Sequence, residues 1–249
     1  MILAIDSSAG ASVAVLDQGR VLAQWRTSET TDHAEVLAAA VAETMRQAGV
    51  DGGGLGGVVV GVGPGPFTGL RVGLALAHAL AEVWQVPLHG LCSLDSLAHR
   101  AVTQSPAGDP AGDSASDPAG DHLGGPVEAG VEFLAVSDAR RREVYWARYR
   151  SRAAAGPDHA ASAELVDGPH VSAASELPDL PAVGIGAGLY PEALKARSAM
   201  EASWLPDAVE LGQIAQTPGP ARLREPLPLY LRESDAKVPA QVRPRTAAS

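Results

Sequence analysis

Cysteine is almost absent from this chain of 249 residues: Cys92 stands alone. A single thiol excludes an intrachain disulfide and a structural zinc site built on paired thiolates. Long apolar runs are missing too. The richest, Val72 to Ala81, is interrupted by His78 and is too short to span a bilayer. The opening MILAID has no basic stretch followed by a long apolar one, so no signal peptide is expected, and the reading is of a soluble, cytoplasmic protein with no membrane partner. Basic charge is scarce. Nineteen Lys and Arg face 29 Asp and Glu for a formal net charge of −10, and Lys195 and Lys237 are the only lysines. A broad nucleic-acid footprint is not expected from that balance. The histidines show neither HxxxH nor HExxH spacing, so no metal site is assembled from sequence. No G-x-S-x-G elbow occurs and Cys92 has no paired base, so nucleophilic catalysis finds no support.

What is present is a globular composition, 46% hydrophobic and 19% charged. Ile2 to Ile5, Ser12 to Leu16 and Val21 to Trp25 read as three strands, the last two joined through a turn at Asp17-Gln18-Gly19. Asp32 with Glu35 three residues on is a capping pattern for a helix that runs to Gly49. Val58 to Val60 reads as a buried strand, Thr68 to Trp84 as a helix, Pro87 to Leu91 as a strand and Leu94 to Thr103 as a helix. A similar order then returns. Glu132–Ser137, Val144–Tyr149 and Glu164–Val166 are expected strands, followed by a helix near Ala173–Leu177 and a strand Ala182–Ile185. Helices near Pro191–Arg197 and Asp207–Gln216 complete the order. The pattern predicts a duplicated α/β architecture of two βββαβα-type subdomains, 1–103 and 127–235. Between them, 104–126 repeats Asp among Pro, Ala, Gly and Ser and is read as a solvated low-complexity loop; 236–249 is read as a frayed tail.

Several segments are candidates for function. Asp6-Ser7-Ser8 closes the first strand, and an acid with two hydroxyls there suits either a vestigial phosphate-binding turn or a simple turn cap. Gly61-Val-Gly-Pro-Gly-Pro-Phe-Thr-Gly-Leu-Arg71 lacks the Lys-Ser/Thr of a Walker A loop, and Pro64 and Pro66 have no N–H to offer an anion. It reads as a stiff corner, either purely structural or presenting Phe67 and Arg71 to a partner. The helix behind it carries no formal charge from Val72 to Ala81, with Leu70, Leu74, Ala77, Ala81 and Trp84 on one seam. A surface helix should keep a polar face, so this one is either sandwiched inside its domain or buried at a subunit contact, and its apolar circumference favours the contact. The expected partner interface is His33, Pro64, Phe67, Thr68, Leu70, Arg71, Leu74, Ala77, His78 and Ala81, and Leu74→Arg is expected to abolish pairing while sparing the monomer. Asp138-Ala-Arg140 with Glu143 reads as a solvated hairpin tip, and Gly184-Ile-Gly-Ala-Gly188 as either a nucleotide segment or tight strand–helix packing.

MILAIDSSAGASVAVL, TTDHAEVL, GVGPGPFTGLRVGLALAHALA, SDARRREVYWARYR and EPLPLYLRE together resemble the TsaB (YeaZ) family over nearly the whole chain outside 104–126 and the tail. That family typically has Ser where this chain has Pro66. The resemblance implies the actin-like, hexokinase-like (ASKHA) fold. It also implies a non-catalytic scaffold in the synthesis of N6-threonylcarbamoyladenosine at position 37 of tRNAs reading ANN codons. The implied partners are a TsaD-like paralogue that performs the transfer and a TsaE-like ATPase, with self-association through the same surface and tRNA met only indirectly. No cofactor and no metal is implied. The catalytic paralogue holds a metal with a histidine pair, and Ser93 and Leu97 stand at the matching positions here. The competing expectation, from Asp6 and the duplicated fold, is an actin-like ATPase or small-molecule kinase.

Overall fold

A computed structural model describes residues 1–28, 33–103, 126–154, 160–217 and 223–232. The 104–125 part of the low-complexity segment, the Asp32 cap and the tail lie outside the described residues. Strands β1 (Ile2–Asp6), β2 (Ala11–Asp17) and β3 (Arg20–Thr27) form an antiparallel meander, followed by helix α1 (His33–Ala48). Strand β4 (Val58–Gly61), helix α2 (Phe67–Trp84), strand β5 (Leu88–Leu91) and helix α3 (Ser93–Thr103) complete the first half. In the second half, β6 (Glu132–Asp138), β7 (Glu143–Arg152) and β8 (Ser162–Ala173) precede β9 (Pro181–Val183), α4 (Ile185–Leu189), β10 (Lys195–Ala196) and α5 (Ala208–Gln216). The sheets have the same wiring. One runs β3-β2-β1-β4-β5 and the other β10-β9-β6-β7-β8, so each is a meander with two parallel strands added beside its first strand.

Strand alternation places the layers. Leu3, Ile5, Val13, Val15, Val58 and Val60 face α1 and α2, whereas Ala4, Ala14, Leu16 and Val59 face α5. In the second sheet, Phe133, Ala135, Tyr145, Ala147 and Tyr149 face α3, and Leu134, Val136, Val144 and Trp146 face the α4 side. Helices α3 and α5 pack on each other and thereby hold the sheets together.

Four expectations for the second half need correction. β8 runs to Ala173, not Val166. Beyond Val166 the chain continues through Asp167-Gly168-Pro169 with a register irregularity, which an edge strand tolerates even where an N–H is missing. The helix near 173–177 is one 3₁₀ turn, Ala174–Glu176, ended ahead of Pro178. The strand read as 182–185 stops at Val183, because Gly184 turns the chain (φ 101°) and Ile185 opens α4. Residues 191–197 form no helix: Ala193 and Leu194 donate to the Tyr190 carbonyl in a turn, and Lys195–Ala196 then pairs with β9.

Candidate functional site

The turn after β1 is closed. Asp6 Oδ1 accepts from the Ser8 N–H (2.8 Å) and the Ser8 hydroxyl (2.7 Å). Asp6 Oδ2 accepts from the Ser93 hydroxyl at 2.6 Å. Ser7 donates to the Gly69 carbonyl of α2 at 2.8 Å. Asp6, Ser7 and Ser8 are all buried, with the glycine–proline corner packed against Asp6 and Ser8. At Gly65 a Cβ would lie 2.5 Å from the Ser8 carbonyl, and at Gly61 one would collide with the Asp6 carboxylate, so only glycine lets the corner come this close. Burial pushes the Asp6 carboxyl above the ordinary range, partly offset by the hydrogen bonds from Ser93 and Ser8. Asp6, Ser7 and Ser8 thus form a hydrogen-bonded node joining β1, the corner and α3. A metal-held phosphate would have to break this packing.

Ser93 serves that node, receiving the Gly63 N–H at 3.2 Å, and Leu97 is buried in the core around α3. Among the described residues no group of three or more His, Cys, Asp or Glu is placed to hold a metal ion. Burial pushes the Cys92 thiol far above its usual range. Gly186 packs against β6, where a Cβ would meet the Val136 carbonyl carbon at 3.1 Å; this supports tight strand–helix packing for 184–188.

Helix α2 divides into two faces. Pro64, Leu70, Leu74, Ala77 and Ala81, expected at a partner contact, are buried in their own chain, with Leu74 5% exposed. The reason is sheet packing: this seam fills the layer above Leu3, Ile5 and Val60. Leu70, Leu74, Ala77 and Ala81 thus belong to the core of their own chain. Phe67, Thr68, Arg71 and His78 are exposed, together with Ala75, Ala79 and Val83. His33 opens α1, and its side chain lies outside the described residues.

The outer face is organised by a strap, residues 223–232, that sequence periodicity could not assign. Arg224 pairs with Gly90 at the edge of β5, and the Leu229 N–H donates to the Val62 carbonyl at 2.8 Å. Tyr230 then stacks on Phe67 with ring centroids 5.2 Å apart. The Arg71 guanidinium lies 3.6 Å from the Phe67 ring centroid and donates through Nε to the Tyr230 hydroxyl at 2.8 Å. His78 Nε2 sits 2.8 Å from the Pro226 carbonyl. Phe67 remains 52% exposed, Tyr230 43%, Leu227 60% and Val83 75%. This is a pre-ordered aromatic–arginine cluster beside an alanine-lined helix face, the composition of an interface anchor.

Between the lobes lies a buried acidic group. Asp207 caps α5 through the Val209 N–H (2.9 Å), and its own N–H donates to Ser96 of α3 at 3.2 Å. Glu210, one turn on, lies 3.9 Å from Arg100, which stacks over Trp204. Burial first, then the nearby Asp207, pushes the Glu210 carboxyl up from the ordinary 4.5 to about 8. Over that window the folded state holds a proton the unfolded state has lost, so stability falls as pH rises from 4.5 towards 8 and levels off above it. Glu210→Gln should flatten this slope, read as melting temperature against pH. An equal slope in the variant would assign it elsewhere.

Two sheets of the same wiring with helices on both faces define an actin-like fold of two subdomains. The sequence profile of the TsaD family (tRNA N6-adenosine threonylcarbamoyltransferase) matches residues 21–112. An uncharacterized protein of Mycobacterium tuberculosis is 34% identical over 95% of this chain and 93% of its own length. The tRNA threonylcarbamoyladenosine biosynthesis protein TsaB of Escherichia coli is 29% identical over 60% of this chain and 54% of its own length. The solved structure of YeaZ from Pseudomonas aeruginosa superposes with a TM-score of 0.65 at 26% identity, covering 92% of this chain and 99% of that one. The chain belongs to the TsaB (YeaZ) family.

Proposed function

We propose that this chain is a non-catalytic subunit of the cytoplasmic assembly that makes N6-threonylcarbamoyladenosine at position 37 of tRNAs reading ANN codons. In this reading it docks the outer face of α2 on a TsaD-like transferase, and a TsaE-like ATPase joins the pair. The same face supports a homodimer when the transferase is absent. The observation that carries the proposal is the exposed Phe67–Arg71–Tyr230 cluster beside Ala75, Ala79 and Val83. The names of the relatives supply the pathway. Rings and guanidinium already fixed by one another lose little ordering entropy on docking. Bulk tRNA contact falls mostly to the partner, in keeping with the net charge of −10.

The ATPase or kinase alternative needs an open phosphate turn, and the burial of Asp6, Ser7 and Ser8 weighs against it. Calorimetry of the isolated protein with Mg-ATP is expected to show no micromolar binding and no turnover. Either one would favour the alternative.

A further inference from the structure

The strap of residues 223–232 crosses from one lobe to the other. It enters along β5, where the Gly90 and Arg224 N–H groups each donate to the other's carbonyl, at 2.9 and 2.8 Å. It passes so near that a Cβ at Gly90 would lie 2.7 Å from the Glu225 carbonyl oxygen, so glycine is what lets it seat. Leu229 then packs against both cores, the one under α1 and α2 and the one around α3, and Leu231 packs against the second. Arg232 pairs with Glu143 of β7. Backbone pairing thus holds one end of the strap, and leucines set into the lobe boundary hold the other. Tyr230 stands between those two leucines and faces outward, 43% exposed. Its ring stacks on Phe67, and its hydroxyl accepts from Arg71 Nε at 2.8 Å while the Arg71 guanidinium lies over the Phe67 ring. An arginine on an exposed helix face ordinarily samples many rotamers, and fixing one costs entropy. Here one hydroxyl and one stacked ring pair fix it in the free chain. Thr68, Ala75, Ala79 and Val83 stay exposed on the same helix, so the strap does not mask that face.

We propose that Tyr230 is a positioning residue for the docking face: seated by the strap at the lobe boundary, it fixes Arg71 over Phe67, so that affinity for the partner depends on the seating of the strap. The role of the face rests on the function proposed above; the positioning of Arg71 rests on the strap geometry alone. The two lobes are then coupled to docking through Leu229 and Leu231, although neither leucine reaches the outer face. A shift that lifts these leucines withdraws the Tyr230 hydroxyl and frees the guanidinium, and the entropy of ordering it returns as a cost of association. By linkage, a bound partner holds the strap down in turn.

The test has two readouts on the intact chain. The first needs no partner: solvent exchange of the Arg71 Nε–H, followed by heteronuclear NMR. In wild type it should be at least about tenfold slower than in an unstructured peptide. Tyr230→Phe keeps the ring stack and removes the acceptor; it should abolish that protection and keep the melting temperature. Leu231→Ala, remote from both rings, should also reduce the protection by unseating the strap. The second readout is the Kd for a TsaD-like chain. Tyr230→Phe should weaken it by about five- to tenfold. In an Arg71→Ala background the same change should cost less than about twofold, because the hydroxyl acts through the arginine. Fast exchange of Arg71 Nε–H in wild type overturns the proposal. So does an equal loss from Tyr230→Phe with and without Arg71, which makes the hydroxyl a direct contact. Tighter pairing by Tyr230→Phe or Leu231→Ala also overturns it, since the strap is then an inhibitory cover. Absence of pairing by wild type is instead the failure of the proposed function, and the exchange readout on the free chain still decides whether the strap positions Arg71.

Discussion

Leu74→Arg is expected to leave no folded protein. Leu74 is 5% exposed and packs among Leu3, Ile5, Leu37 and Val60. An arginine there must bury an unpaired charge, overpack the layer between α2 and β1, or expel the helix. Truncation alone at such a site removes about 2–5 kcal/mol, and a whole domain holds about 5–15. Soluble yield and the loss of a cooperative melting transition read the result. A variant that melts like wild type would show that this seam is open in solution, as the sequence alone suggested.

Ala79→Arg is expected to do the opposite. Ala79 is exposed on the outer face between His78 and Val83, so an arginine there keeps the helix and its melting temperature. It should weaken pairing with a TsaD-like chain by about 2 kcal/mol or more, at least roughly thirtyfold in Kd, because a charge enters an apolar contact with no partner for it. Equal affinity for both proteins, measured by calorimetry or interferometry, would move the contact off this face. Together the two substitutions separate the faces of one helix by their failure modes: the inner one loses the fold and the outer one loses the partner.

The contrast shows where the sequence was informative. The first half is written in local signals: alternating strands bounded by Gly19 and Ser7-Ser8, and a 3.6-residue apolar repeat along α1. The observed elements there lie within a residue or two of the reading. In the second half Pro191 misleads, because a Pro-led turn resembles a helix start. The α2 helix defeats periodicity for another reason. With no charge from Val72 to Ala81, neither face announces itself as solvent-facing, and the large leucines that mark the strongest seam are the ones its own sheet takes. Phe67 and Arg71 were legible as an exposed corner, whereas Tyr230 was not. Its partners lie about 160 positions away in sequence, and the Pro-rich strap carries no repeat that could place it. The same limit applies to Asp6: its spacing suits a phosphate turn, and only the folded chain shows how closely the corner approaches it.

The most direct measurement is affinity purification of the tagged chain from its native cell, with Ala79→Arg processed in parallel. The account predicts a TsaD-like chain recovered in near-equal amount with wild type and lost with the variant. Full recovery with the variant, or no TsaD-like chain with wild type, would contradict it.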